Sequence, residues 1–108
     1  MKRVDVSVVL PILNEERHLA HTIDSITRQE FDGTLEIILA LGPSHDRTNE
    51  IAAQLSAADA RIVLVDNPTG KTAAGLNAAI AVSSAEIVVR IDGHAEISPT
   101  YIKDAVHL

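Results

Sequence analysis

The chain has 108 residues, with nine Lys+Arg against fifteen Asp+Glu for a net charge of −6. Apolar residues make up 46% and charged ones 22%, which fits one globular domain or part of one and excludes a disordered tail. The absence of cysteine excludes a disulfide framework, a Cys-ligated zinc and a thiol nucleophile, and the acidic balance argues against nucleic acid, whose binding wants clustered Lys/Arg.

With only Phe31 and Tyr101 as aromatics, the core must be built from Val, Ile, Leu and Ala. No stretch reaches the ~20 unbroken apolar residues of a membrane span. Asp5 and Pro11 interrupt the segment after Met1-Lys2-Arg3, so no signal peptide is expected and the expected location is cytoplasmic.

The first element is a strand over Val4 to Leu10, β-branched and apolar, stopped by Pro11. Asn14 is the expected N-cap of a helix running to about Glu30, with Glu15 and Glu16 in the first turn and Leu19, Ile23 and Ile26 inward. After the Asp32-Gly33 turn, Leu35 to Leu41 reads as a second strand ending at Gly42-Pro43. Asp46 to Leu55 is a helix with Ile51 and Leu55 inward, and Arg61 to Val65 a third strand. Thr72 to Val82 is an Ala-rich helix whose inner face is Leu76, Ala79 and Ile80. Ala85 to Ile91 is a fourth strand, and Ser98-Pro99 starts a last helix, Ser98 capping it, that stops at Leu108.

Continuously apolar strands alternating with helices predict an α/β fold: an open, mainly parallel sheet with helices on both faces, ordered β-α-β-α-β-α-β-α. A four-stranded sheet leaves an open edge, which admits self-association. In such sheets ligands bind at the carboxyl ends of the strands, where strand order reverses. The residues there are Pro11 to Glu15, Leu41 to Asp46, Asp66 to Lys71, and Asp92 to Glu96.

Gly70-Lys71-Thr72 ends like a phosphate-cradling loop, but the glycine required five positions earlier is Val65. His94-Ala95-Glu96 begins a zinc-deaminase signature that lacks its cysteines. No Gly-x-Gly-x-x-Gly follows the first strand, so the usual dinucleotide fingerprint is absent.

The strongest constellation is Arg90-Ile91-Asp92-Gly93-His94. In extended backbone Asp92 and His94 project to one side, within reach of one cation. A carboxylate and an imidazole suit Mn²⁺ or Mg²⁺ as partial ligation, with phosphate oxygens and water completing the shell. Arg90 is a charge in an apolar strand and needs a partner, either Asp92 or an anionic ligand. The competing reading is an ordinary Asp-Gly turn.

Taken together, these residues resemble a family 2 glycosyltransferase of GT-A fold. The resemblance lies in Pro11-Ile12-Leu13-Asn14-Glu15 after the first strand, in Ala74-Gly75-Leu76-Asn77-Ala78-Ala79-Ile80, and in Asp92-Gly93-His94 at the place of an Asp-x-Asp motif. Arg90 to Ala95 is especially similar to the succinoglycan-biosynthesis branch. The resemblance spans essentially the whole chain and implies the nucleotide-binding half of the fold, with a nucleotide-diphosphate sugar as ligand and a divalent cation, Mn²⁺ or Mg²⁺, as cofactor. It implies that Pro11, Asn14 and Glu15 wrap base and ribose, that Asp66 and the Asn67–Thr72 loop line the same pocket, and that Asp92 anchors the metal or the diphosphate. Lys71 reads either as a diphosphate contact or as a solvated helix-start lysine. Asn77 is expected to bond a neighbouring loop or ligand.

The chain departs from the family pattern where Asp-Asp-Gly-Ser is usual and Leu41-Gly42-Pro43-Ser44 stands, so that only Ser44, Asp46 and Thr48 match. His94 replaces the second acid of the metal motif. Complete members carry a second half with the acceptor site and a catalytic carboxylate base, expected here beyond Leu108. Residues 1–108 thus read as the donor-binding part of an enzyme that transfers sugar to a saccharide or lipid-linked acceptor with inversion, at the cytosolic face of the membrane. The fragment alone is expected to be inactive. The alternative is a non-catalytic α/β module binding a nucleotide or a protein.

Overall fold

The computed structural model describes residues 3–107; the basic start at Met1-Lys2 and Leu108, where the sequence ends the last helix, lie outside the described residues. The elements follow the expected order: β1 (Val6–Ile12), α1 (Leu19–Thr27), β2 (Leu35–Leu41), α2 (Thr48–Ala58), β3 (Ile62–Asp66), α3 (Thr72–Val82), β4 (Ile87–Arg90) and α4 (Tyr101–Val106). All strand pairs are parallel, in the order β3-β2-β1-β4.

Alternation along β1 sorts the core into two layers. Val6, Val8, Leu10 and Ile12 pack with Leu19, Ile23 and Ile26 of α1, Ala52 of α2 and Ile102 of α4. Val9 faces the other way and packs with Ile38, Ala40 and Ala79, against which Leu76 and Val65 lean. Helices therefore cover both faces, as strands this apolar require. The first two crossovers step outward from β1 to β3 and the third returns to β4 on the other side of β1. The strand order reverses between β1 and β4, and a crevice belongs there.

The boundaries that shift have identifiable causes. Pro11 does not stop β1, which pairs with β2 as far as Ile12. The Ile91 amide donates to the Val9 carbonyl, so the backbone of Val9 and, two residues on, of Pro11 faces β4. Pro11 has no N–H to continue that ladder. It ends the pairing with β4, and β4 closes at Arg90 instead of Ile91. At the other end of β4 the Ser84 amide donates to Glu36 Oε2 (2.7 Å) and the Ala85 amide to Ser7 Oγ (3.2 Å), so the ladder starts late.

Asn14 is not a helix cap. Its φ of 53° is left-handed, and an irregular turn separates it from α1, whose N-cap is His18. Glu15 and Glu16 therefore lie outside the first turn of α1. That helix stops at Thr27, because the Glu30 amide is taken by the Pro99 carbonyl at 2.8 Å. α4 starts after Thr100, not Ser98, whose carbonyl accepts from Gln29 Nε2 and the Tyr101 amide. On α3 the buried positions are Gly75 and Ala79, small enough to let the helix lie close to the sheet, while Ile80 is exposed.

Candidate functional site

At the carboxyl edge, the loops after β1, β2 and β4 are tied to one another by hydrogen bonds. The Asn14 amide donates to Ser44 Oγ (2.9 Å), and the His45 amide donates back to Asn14 Oδ1 (2.8 Å). The Glu15 amide donates to Thr48 Oγ1 at 2.8 Å, and the Thr48 hydroxyl donates to Asp46. The Thr48 hydroxyl, with the Thr48 and Glu16 amides, holds the Asp46 carboxyl below the ordinary carboxylate range. Asn14 and Ser44 are thus spent on fixing the first loop against the second. The left-handed backbone that this needs is one Asn tolerates better than most residues.

Across the β1–β4 crevice, His94 Nδ1 lies 3.1 Å from Glu15 Oε2, and the Glu15 side chain is only 17% exposed. Gly93 sits under the same carboxylate, where an added Cβ would be 3.1 Å from Glu15 Oε2 and 2.7 Å from Ile12 Cδ1. The Gly93 carbonyl accepts a 3.1 Å bond from Thr22 Oγ1, inside the core. Thr22 therefore pins the Asp92–His94 segment to α1. Sequence reasoning missed this residue, although a threonine on the apolar stripe between Leu19 and Ile26 was its signal.

Arg90 Nη2 lies 3.3 Å from Asp92 Oδ1, one of the two partners expected for the strand arginine. A cavity of about 210 Å³ is lined by Pro11, Glu15, Arg90, Asp92 and His94 with Leu13, Thr72 and Gly93. A second, of about 310 Å³, shares Arg90 and Asp92 and reaches Ala95 and Tyr101. A cavity of about 900 Å³ lies at the opposite edge, between the starts of β1 and β4, where α/β sheets do not place their ligands.

The structure thus brings together Pro11, Glu15, Arg90, Asp92 and His94, with Asn14 and Ser44 behind them. Asp66, Lys71 and Asn77 are exposed and line neither carboxyl-edge cavity. None of their side chains is hydrogen-bonded among the described residues, so Asn77 makes no bond to a neighbouring loop. Its place is taken by Asn67, 3% exposed, whose Nδ2 donates to the Lys71 carbonyl at 3.0 Å and fixes the loop entering α3. No group of three His, Asp or Glu side chains among the described residues comes together to hold a cation.

The family model described as glycosyl transferase family 2 matches residues 7–108. The chain belongs to glycosyl transferase family 2. Within the family it is 32% identical over 101 residues to the succinoglycan biosynthesis protein ExoA of Rhizobium meliloti, covering 92% of this chain and 31% of that protein. It is 40% identical over 90 residues to the putative glycosyltransferase EpsE of Bacillus subtilis, covering 82% of this chain and 32% of that one. The crystal structure of S. aureus TarS 1–349 in complex with UDP superposes with a TM-score of 0.84 at 22% identity, over 96% of this chain and 31% of that chain. The TarS complex with UDP-GlcNAc gives 0.80 at 23%, over 96% and 30%. The fold is that of the GT-A transferases, and this family 2 chain spans about a third of the length of these relatives. Among the described residues no helix is long and apolar enough to cross a membrane.

Proposed function

We propose that residues 1–108 form the donor-binding part of a glycosyltransferase. A nucleotide-diphosphate sugar enters the crevice between β1 and β4, and the enzyme built around it transfers the sugar to a saccharide or lipid-linked acceptor with inversion, at the cytosolic face of the membrane. The observation that carries this reading is the convergence of Glu15, Arg90, Asp92 and His94 on one crevice at the strand-order reversal of a family 2 chain. That TarS has been solved with UDP and with UDP-GlcNAc supports the ligand class.

In this reading the loop Pro11 to Glu15, braced by Ser44 and Thr48, holds base and ribose. Arg90, whose guanidinium keeps donors beyond its single bond to Asp92, turns to the diphosphate. Asp66, Lys71 and Asn77 lie outside the two cavities, and their side chains, uncommitted among the described residues, would meet the donor only at its periphery. The donor set of Asp92 and His94 is one carboxylate and one imidazole. It fits Mn²⁺ or Mg²⁺ only where diphosphate oxygens and water complete the shell. Such a cation would offset the charge gathering on the departing nucleoside diphosphate. General-base catalysis needs a base within hydrogen-bond reach of the acceptor hydroxyl. Glu15 is engaged by His94 and Asp92 by Arg90, so the base is assigned to the part of the enzyme beyond Leu108, and this chain alone is inactive.

Isothermal titration with UDP and GDP, each with and without Mn²⁺, tests the proposal. Mn²⁺-dependent heat with one nucleotide, lost in Asp92→Ala, is the expected result. Heat that ignores Mn²⁺ and survives Asp92→Ala would instead identify a non-catalytic nucleotide-binding module.

A further inference from the structure

Between β4 and α4 the chain from Ile91 to Thr100 is neither helix nor strand, and it carries Asp92 and His94. Irregular backbone must find its hydrogen-bond partners elsewhere. Here they stand in a row along α1. Thr22 Oγ1 donates to the Gly93 carbonyl at 3.1 Å, and the Ile97 amide donates to Ser25 Oγ at 3.4 Å. Gln29, just past the end of the helix, donates from Nε2 to the Ser98 carbonyl at 2.6 Å and accepts the Ile102 amide of α4 on Oε1 at 2.9 Å. The row is locked internally. Ser25 Oγ donates to the Thr22 carbonyl at 2.7 Å, and Gln29 Nε2 donates back to the Ser25 carbonyl at 3.0 Å.

These bonds set the course of the segment because its length does not. Gly93 to Ser98 can span ~17 Å when extended. Thr22 to Gln29 covers only about 10 Å along a helix axis. The segment therefore has slack, and side chains decide where it lies. Of its other side-chain ties, His94–Glu15 belongs to the crevice, and Glu96–His21 is exposed on both sides and holds weakly. Gln29 takes hold with both ends of its carboxamide, donor to two carbonyls and acceptor for one amide, a combination that no carboxylate or thioether offers.

We propose that Gln29 and Ser25 are positioning residues for the donor crevice, fixing the segment after β4 so that Asp92 and His94 face the ligand. Neither side chain lines the two cavities that Asp92 shares. Without them Gly93 is held to α1 by the Thr22 hydroxyl alone, and the slack beyond it passes into the turn that carries Asp92 and His94. This inference rests on the donor-site reading above and adds to it residues remote from the ligand.

Gln29→Met keeps the length of the side chain and removes its hydrogen bonds. Titration with the nucleotide that the parent binds, UDP or GDP, in the presence of Mn²⁺ should show affinity about tenfold weaker, the scale on which supports behind metal ligands act. Amide exchange should quicken at Ala95, whose N–H closes the turn onto the Asp92 carbonyl, by more than at the sheet amides. Ser56→Ala is the control for stability alone. It removes a 2.8 Å bond from α2 to the Ile62 carbonyl at β3, and should lower the urea midpoint while leaving the affinity unchanged. If circular dichroism shows that Gln29→Met does not fold, Ser25→Ala takes its place, with a smaller loss of affinity expected. Parent affinity in the folded variant overturns the proposal, and so does exchange at Ala95 that rises no more than in the sheet. If the parent chain binds no nucleotide, the donor-site reading falls and the exchange comparison alone decides the positioning role.

Discussion

Replacing Gly75 by alanine sets two effects of known size against each other. Gly75 lies inside α3, where Gly→Ala ordinarily gains about 1 kcal/mol of helix stability. At this position, however, an added Cβ would lie 2.8 Å from Asn67 Nδ2 and 3.1 Å from Pro11 Cβ. Pro11 belongs to β1 and has little freedom to move. Asn67 can give way only by losing its bond to the Lys71 carbonyl, which leaves a buried amide unsatisfied at a cost of about 1–3 kcal/mol. Residual overpacking against Pro11 adds about 1 kcal/mol. The balance is a net destabilisation of about 1–3 kcal/mol, or a fall in Tm of roughly 4–13 °C for a chain of this size. Urea unfolding followed by circular dichroism reads it directly, and the cycle with Asn67→Ala isolates the cause. With the Asn67 side chain removed, Gly75→Ala should turn from destabilising to neutral or stabilising, a coupling of about 2 kcal/mol. If Gly75→Ala stabilises the unaltered chain by its full helix propensity, the contact with Asn67 is not tight and the reasoning fails.

Thr22→Val keeps the shape but leaves the Gly93 carbonyl without its core donor, so a loss of about 1–3 kcal/mol is expected in urea unfolding, together with faster amide exchange over Asp92–Ala95. Asn14→Ala should cost about 1–2 kcal/mol, because it combines a left-handed backbone with loss of the His45 bond; Asn14→Gly, which relieves the backbone, should cost clearly less, and equal losses would contradict this account. Burial works to raise the Glu36 pKa, but bonds from the Ser7 hydroxyl and from the Ser84 amide and hydroxyl outweigh it and hold the carboxyl low. A depressed folded pKa means stability that is fully present above the unfolded value of about 4.3 and lost as pH falls through the folded value. Unfolding midpoints of the parent should therefore drop toward those of Glu36→Gln as the solution is acidified below that range, and a gap that persists at low pH would refute the assignment.

The alternation of apolar strands and helices was readable because each strand of a covered parallel sheet is apolar on both sides, and each helix except α4 carries a long enough period. What local reading could not supply were the contacts made at long range. Asn14 has the chemistry of an N-cap, and only the partners Ser44 and His45, brought alongside by β2, turn it to a left-handed loop. Pro11 marks an end, but which ladder it ends depends on the side its nitrogen faces. Ile80 falls on the expected inner face of α3, and the small residues Gly75 and Ala79 take the contact instead. At the site, Arg90, Asp92 and His94 line one cavity, but through a turn in which the Ala95 amide donates to the Asp92 carbonyl and not through the extended backbone that their spacing suggests. The pairing of His94 with Glu15 and the anchor at Thr22 span more than seventy residues of chain and left no local trace beyond a threonine on an apolar stripe.

The crevice itself follows from one missing hydrogen. β1 must pair on both sides in its first half to hold the sheet, and it does so with β2 and β4 from Val6 to Val9. Had residue 11 carried an N–H, the ladder with β4 would continue beyond Ile91 and draw Asp92 into the sheet. With proline there, β1 runs on beside β2 alone to Ile12 while the chain after β4 is free to turn away. The segment then needs a new support, and the Thr22 hydroxyl on the Gly93 carbonyl provides it from below, with the Glu15 carboxylate on His94 above. Gly93 is the residue that can sit between these two, because a side chain there would meet both Ile12 and Glu15. Pro11, Glu15, Thr22 and Gly93 therefore act together. The first opens the strand pair, and the others fix how Asp92 and His94 face the opening.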